Sequence, residues 1–379
     1  MKNLLAFCEH ELPWMVETIE RLVRLESPTG DRAAVDACGR EVVRELQSAG
    51  GQVDVVAGRD AGGHLRARFG AGDRPVLILG HLDTVWPVGT LGARPIRRDG
   101  DRLYGPGVFD MKAGLVLAMT AVRALQAPPA AMTGAVTLLF TSDEETGSAT
   151  SRRLIEDEAR RHAAVLVLEP PLPGGALKTA RKGCGEFRLR VTGRPAHAGI
   201  EPERGASAVH ELARQILAIE RLADVHRGIT FNVGVVRGGT RGNVIAAEAE
   251  AVVDVRVSRQ EDAARVAHAL RALTAELPGT ALAVTGGIDR PPLERTAAVA
   301  VLFEQARAVA EALGRRLGEG ATGGGSDGNL TAALNVPTLD GLGAIGGGAH
   351  ALDEHIEINE LPWRAALVAG LTRRIWEGI

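Results

Sequence analysis

The stretch GHLDTV, residues 80–85, places His81 and Asp83 two apart, directly after the apolar run PVLIL. Two further apolar runs also stop at ionisable residues. AVTLLF leads into TSDEETG, with Asp143, Glu144 and Glu145, and AAVLV leads into LEP, with Glu169. Asp110 lies in YGPGVFDMKAG just ahead of a helical pattern, and His350 ends the glycine-rich GLGAIGGGAH. Any one of these acids could serve as a helix N-cap. Several carboxylates and two histidines gathered at one edge are a different matter, because like charges brought together need a strong cation to offset their repulsion. Imidazole nitrogen and carboxylate oxygen are ligands for Zn2+ at about 2.0–2.2 Å, with Co2+ or Mn2+ as substitutes. The inventory is large enough for two metals sharing a bridging carboxylate. Cys8, Cys38 and Cys184 form no CxxC pair, so a thiolate site or a disulfide framework is not expected.

The elements that must position these residues follow from periodicity. Residues 13–27 and 32–49 repeat like helices, and QVDVVAG and HLRARFG alternate like half-buried strands. PVLILG, AVTLLF and AAVLV are continuous apolar runs, as in strands covered on both faces. DMKAGLVLAMTAVRALQ and SRRLIEDEARR between them read as helices, so the class is α/β with a mostly parallel central sheet. In such a sheet the site lies at the carboxyl ends of the strands. After about residue 178 the pattern becomes β-α-β-β-α-β, the ferredoxin-like arrangement. The strands are GEFRLRVTG, TFNVGVVRGG, NVIAAEAEAVVDVRV and ALAVTGGI, and the helices are GASAVHELARQILAIERL and QEDAARVAHALRALTAEL. From PPLERT onward helix and buried strand return. The expected organisation is a discontinuous domain, 1–178 and 291–379, interrupted by a module at 179–290.

Composition narrows the class. A formal net charge of −3 argues against a non-specific nucleic-acid binder, and no apolar run is long enough to span a membrane. The N-terminus carries Glu9 and Glu11 and continues as an amphipathic helix instead of a signal sequence, which reads as cytoplasmic. A nucleotide-binding protein would need a P-loop or GxGxxG turn, and GPGVFDMKAG has neither the spacing nor the lysine.

The motifs GHLDTV, YGPGVFDMKAG, TSDEETGS, LEP, GRPAHAGIEPERGASAV, GGTRGNVIAAEAEAVVDVRV and GGGAHALDEHIEI run in order over residues 80–358. In this order they resemble the acetylornithine deacetylase, succinyl-diaminopimelate desuccinylase and carboxypeptidase G family of dinuclear zinc hydrolases, with the nearest likeness to the glutamate carboxypeptidases. The resemblance implies a zinc-exopeptidase-like catalytic domain with an inserted lid and dimerisation domain. It implies two Zn2+ per chain: His81 and Glu169 on one, Glu145 and His350 on the other, and Asp110 between them. Asp83 would accept a hydrogen bond from the second nitrogen of His81 and fix its tautomer. Glu144 would be the general base for a water bridging the zincs. His197 in GRPAHAG would reach the partner subunit's site in a homodimer and stabilise the oxyanion, and Arg256 in VVDVRV would clamp a substrate carboxylate. Without the resemblance these two are a turn histidine and a solvated strand arginine. Asn243 and Asn232 are candidate donors to substrate or ordinary turn and strand-edge residues. The GGGSDG loop with Gly324 and Gly325 either offers backbone N–H groups to a carboxylate or is a tight turn. Trp86 could line the substrate mouth or pack on the lid.

The implied reaction is hydrolysis of an amide bond in a small peptide or N-acyl amino acid with a free carboxylate. A carboxypeptidase and an N-acyl amino acid deacylase are both compatible, and a binding protein that has lost catalysis would lack a ligand or base that is present here. Glu169, where aminopeptidase relatives tend to carry aspartate, favours the first two. In glutamate carboxypeptidases a lysine shortly after the EP pair helps read the substrate's glutamate side chain. Ala176 stands there, with Lys178 two residues on, so glutamate preference stays open. The family's NVIP reads NVIA, with Ala246.

Overall fold

The computed structural model describes residues 1–128 and 132–378. The chain forms two compact units: Met1–Ala180 with Arg295–Thr322 and Ser326–Ile379, and Arg181–Glu294 with Gly323–Gly325.

The first unit is built on a six-stranded sheet. Its order is Gln52–Val56, His64–Phe69, Val136–Thr141, Val76–His81, Ala164–Val167, Thr338–Leu339. The last four run parallel, and the first two are antiparallel additions at one edge, so the sheet is mixed. Every residue of Val76–His81, Val136–Thr141 and Ala164–Val167 is buried. Side chains alternate between two apolar layers, as a strand covered on both faces requires. Val76, Ile78, Leu138 and Phe140 join the core that includes residues of helices Ala113–Gln126 and Leu361–Glu377, while Leu77, Leu79, Leu139 and Val167 pack with Ile155 and Leu330.

The register sets up the chemistry. His81 is paired with Thr141, and Leu79 with Val167, so the carboxyl ends of the three central strands finish level. The residues that follow them therefore emerge side by side. Helix Ala113–Gln126 begins later than the periodicity suggested, because Asp110 and Met111 have non-helical dihedrals (φ −117°, ψ 95° and φ −133°, ψ 39°). A second small sheet, with no counterpart among the sequence expectations, runs Gly346–Gly347, His355–Glu357, Arg102–Tyr104, Arg97–Asp99, all antiparallel. It fastens the 348–354 turn beside the 105–112 segment.

The second unit is the β-α-β-β-α-β module. Its antiparallel sheet has the order Thr230–Gly238, Glu248–Val257, Gly183–Thr192, Ala281–Arg290, and helices Ala208–Glu220 and Gln260–Arg271 join its core through Leu212, Ile219, Val266 and Leu270. Strand NVIAAEAEAVVDVRV starts only at Glu248. The second helix ends at Arg271, ahead of the Leu277 that the pattern suggested. The buried Glu211 carboxylate accepts from the backbone N–H groups of Glu276 and Leu277 at 3.1–3.2 and 2.7 Å, holding that stretch out of the helix. Among the described residues no helix is long and apolar enough to cross a membrane.

One buried cation braces the first unit. Arg364, on helix Leu361–Glu377, is fully buried and donates Nε to the Gly343 carbonyl (2.9 Å), Nη1 to Gly175 O (3.0 Å) and Nη2 to Gly341 O. Gly343 N in turn donates to the Glu169 carbonyl at 2.9 Å. A side chain at Gly343 would sit 2.3 Å from Leu168 O, so this close approach requires glycine. Arg364→Met is expected to leave three buried carbonyls short of donors and to cost about 3 kcal/mol or more, read as a lower urea midpoint with an unchanged slope.

Candidate metal centre

His81 ends its strand buried, with Nε2 3.3 Å from Asp110 Oδ1 and 3.5 Å from Glu169 Oε1. Its Nδ1 lies 2.9 Å from the backbone carbonyl of Asp83, and Asp83 Oδ1 is farther, at 3.5 Å. The nearer acceptor is thus the Asp83 carbonyl, where the resemblance implied the carboxylate. An Nδ1–H donated there leaves the Nε2 lone pair turned to the acids, the tautomer a metal ligand needs. The Asp83 carboxylate is fully buried and accepts from Thr29 Oγ1 (2.7 Å), Glu144 N (3.3 Å) and Glu145 N (3.2 Å). It therefore orients the short turn Glu144–Thr146.

The second group forms from that turn. His350 Nε2 lies 3.3 Å from the Glu145 carboxylate and 3.4 Å from Asp110 Oδ2. His350 takes a left-handed conformation (φ 60°) two residues after Gly348 (φ 75°), which bends the glycine-rich turn. Two sets of potential ligand atoms result, His81–Asp110–Glu169 and Asp110–Glu145–His350, each lying within 4.8 Å of one another. Asp110 belongs to both, with Oδ1 toward His81 and Oδ2 toward His350. Imidazole and carboxylate donors of this kind suit Zn2+.

The electrostatics agree. Burial opposes a charge on His81, but hydrogen bonds to Asp110, Asp83 and Glu169 outweigh it and raise its pKa well above the ordinary imidazole value. Hydrogen bonds to Asp110 and Glu145 lift His350 to about 10. Burial pushes Asp110 up, yet His350 and His81 hold it far below the usual carboxylate range. Burial raises Glu145. The cluster draws positive charge, and without a divalent ion the histidines supply it as protons.

Other residues of the region do different work. Asp143 turns its carboxylate to Thr150 N (2.6 Å), Thr150 Oγ1 (2.8 Å) and Ser151 N (3.3 Å), bracing the turn. His64 is buried, with Nδ1 accepting from Ser142 N at 3.2 Å. Glu354, which the sequence reading passed over, accepts from Asp110 N at 3.1 Å. Its one sequence signal is an acid four residues after His350. Trp86 Nε1 donates to Glu354 Oε2 at 2.7 Å.

The remaining expected residues belong to the second unit. His197 and Asn243 are brought together there: His197 bridges to Val244, and Ala198 N donates to Asn243 O at 3.0 Å. Arg256 grips Asp254 with Nε and Nη2, both at 2.8 Å, while Nη1 reaches Gly323 O at 3.3 Å. Asn232 is the cross-strand partner of Asp254 and so shares its face. Arg181 Nη1 donates to the carbonyls of Gly324 and Gly325 at 3.1 and 3.0 Å, fixing that loop.

Comparison with known proteins gives the class. The model of peptidase family M20/M25/M40 matches residues 77–374. Carboxypeptidase G2 of Pseudomonas sp. (strain RS-16) is 32% identical over 379 residues, covering 97% of this chain and 91% of that protein. Succinyl-diaminopimelate desuccinylase of Stenotrophomonas maltophilia (strain R551-3) is 28% identical, covering 93% and 97%. The crystal structure of aminopeptidase PepT from Bacillus cereus shares the fold, with a TM-score of 0.82 at 23% identity over 96% of this chain and 98% of that one. The chain belongs to peptidase family M20/M25/M40 and is a hydrolase of the metallopeptidase and amidohydrolase class.

A divalent cation seated on these two donor sets would compete with protons for the imidazoles of His81 and His350. Calorimetric titration with zinc is therefore expected to give two ions per chain, with affinity rising between pH 6 and pH 8. Affinity independent of pH would contradict histidine ligation.

Proposed function

We propose that the chain is a dinuclear zinc exopeptidase that hydrolyses the amide bond of a small peptide or N-acyl amino acid bearing a free carboxylate. The observation that carries this reading is Asp110, with one oxygen turned to each donor set. His81 and Glu169 would hold one zinc and Glu145 and His350 the other, with Asp110 bridging. Co2+ and Mn2+ suit the same donors. When bound, the ions polarise the scissile carbonyl and acidify a water.

The chain's own groups do the rest. Glu144, carried on the turn that Asp83 orients, takes a proton from the attacking water. It returns that proton to the amide nitrogen as the C–N bond breaks, leaving a carboxylic acid and an amine. Asp83 fixes both carboxylates of the adjacent pair through their backbone N–H groups, so Glu145 serves the metal while Glu144 serves the water. In a homodimer His197 would reach the partner subunit's site and stabilise the oxyanion there. Arg256, held by Asp254 through Nε and Nη2 and by Gly323 O through Nη1, would turn a remaining guanidinium N–H to the substrate carboxylate, with Asn232, Asn243 and the Gly324–Gly325 loop as further polar contacts.

The relative named carboxypeptidase G2 supports a carboxypeptidase, and the relative named succinyl-diaminopimelate desuccinylase supports an N-acyl amino acid deacylase as the second reading. A homodimer through residues 179–290 draws support from Thr230–Gly238, a sheet-edge strand with exposed Val235 and Val236. The free thiols of Cys8, Cys38 and Cys184 suit a reducing, cytoplasmic compartment.

Glu144→Gln is expected to keep two zincs by elemental analysis and to lower kcat on N-acyl amino acids and dipeptides by about 10²–10⁴-fold. Turnover near wild type would move the base elsewhere. Arg256→Ala is expected to raise KM for carboxylate substrates by about tenfold or more. An unchanged KM would remove Arg256 from substrate binding.

A further inference from the structure

Glu354 is fully buried, and the chemistry above makes no use of it. Its carboxylate gathers four donors. Oε2 accepts from Gly107 N at 2.8 Å and Trp86 Nε1 at 2.7 Å, and Oε1 accepts from Phe109 N at 3.0 Å and Asp110 N at 3.1 Å. Three of these are consecutive-turn backbone groups of the 107–110 segment, which arrives at Asp110 in a non-helical conformation. An anion is suited to collect such N–H groups, since each charge-assisted bond is stronger than a neutral one. The fourth donor comes from another loop, five residues beyond His81.

A second bond path closes the same ring. The Arg94 guanidinium stacks 4.3 Å over the Trp86 ring and donates Nη2 to the carbonyls of Ala351 (3.1 Å) and Leu352. Those carbonyls belong to the turn between His350 and Glu354. The loop after His81, the Asp110 segment and the His350 turn are thus tied together behind the ligand atoms. Each carries a member of the two donor sets, and Asp110 is the shared one.

We propose that Glu354 is a positioning residue for both cations: it holds the backbone of Asp110 in place, and through Trp86 it locks the His81 loop and the His350 turn to that shared ligand. This rests on the dinuclear reading. Glu354→Gln keeps the shape but puts an amide N–H2 against backbone N–H donors, so part of the cradle is lost.

The test is calorimetric zinc titration of metal-stripped wild type, Glu354→Gln, Trp86→Phe and Glu357→Gln, with the thermal midpoint of each stripped protein measured alongside. Wild type should take two zincs. Glu354→Gln should bind both about 10–100-fold more weakly, with a stripped-protein midpoint close to wild type, which a purely structural role would not give. Trp86→Phe removes one donor of the four and should weaken binding by about threefold. It carries the test alone if Glu354→Gln fails to fold. Glu357→Gln, an acid on the same strand as His355, should bind like wild type. Wild-type affinities in both Glu354→Gln and Trp86→Phe would overturn the positioning role while leaving the dinuclear site intact. A wild type that binds no zinc would overturn the dinuclear reading and this inference with it.

Discussion

Mutual repulsion among buried and half-buried carboxylates is the constraint around which the first unit is arranged. Asp83, Asp110, Glu145, Glu169 and Glu354 are all brought to one end of the central sheet, where desolvation makes unpaired negative charge costly. The chain meets this in two ways. Asp83 and Glu354 are satisfied internally, by backbone N–H groups, a threonine hydroxyl and an indole. Asp110, Glu145 and Glu169 are turned instead toward two imidazoles. The first pair builds the frame, and the second set is left to attract cations.

That division explains why the scaffold looks as it does. Parallel strands with matched ends deliver His81, the Glu144–Glu145 turn and Glu169 side by side. They cannot deliver Asp110 or His350, which come from irregular segments. The small antiparallel sheet, with Glu354 and Arg94, supplies what the main sheet lacks. On the far side of Glu169, the buried Arg364 pins the glycine turn that hydrogen-bonds its backbone.

The parts legible in the sequence were those governed by local pattern. A continuous apolar run ending in ionisable residues marks a covered parallel strand whose end faces a site; this marks His81 with Asp83, the run Asp143–Glu145, and Glu169, while the choice of Glu145 among its neighbours rests on the family resemblance. Alternation and turn residues likewise marked the β-α-β-β-α-β order. Glu354 was opaque because its meaning lies in partners more than two hundred residues away, and as one acid in HALDEHIEI it has no periodic signature. The strands Arg97–Asp99 and His355–Glu357 are too short and too polar to show alternation. The late start of helix Ala113–Gln126 was hidden because Asp110 and Met111 fit a helical pattern while the Glu354 carboxylate holds their segment out of it. Asp254 could have been noticed, since it lies two before Arg256 and therefore on the same strand face.

In the proposed dinuclear site Asp110 serves two cations at once. Anomalous diffraction at the zinc edge from crystals of the zinc-loaded protein tests this most directly. Two peaks about 3.5–4 Å apart are expected, one beside His81 and Glu169, the other beside Glu145 and His350, with one Asp110 oxygen on each. A single peak, or two peaks that do not share Asp110, would contradict it.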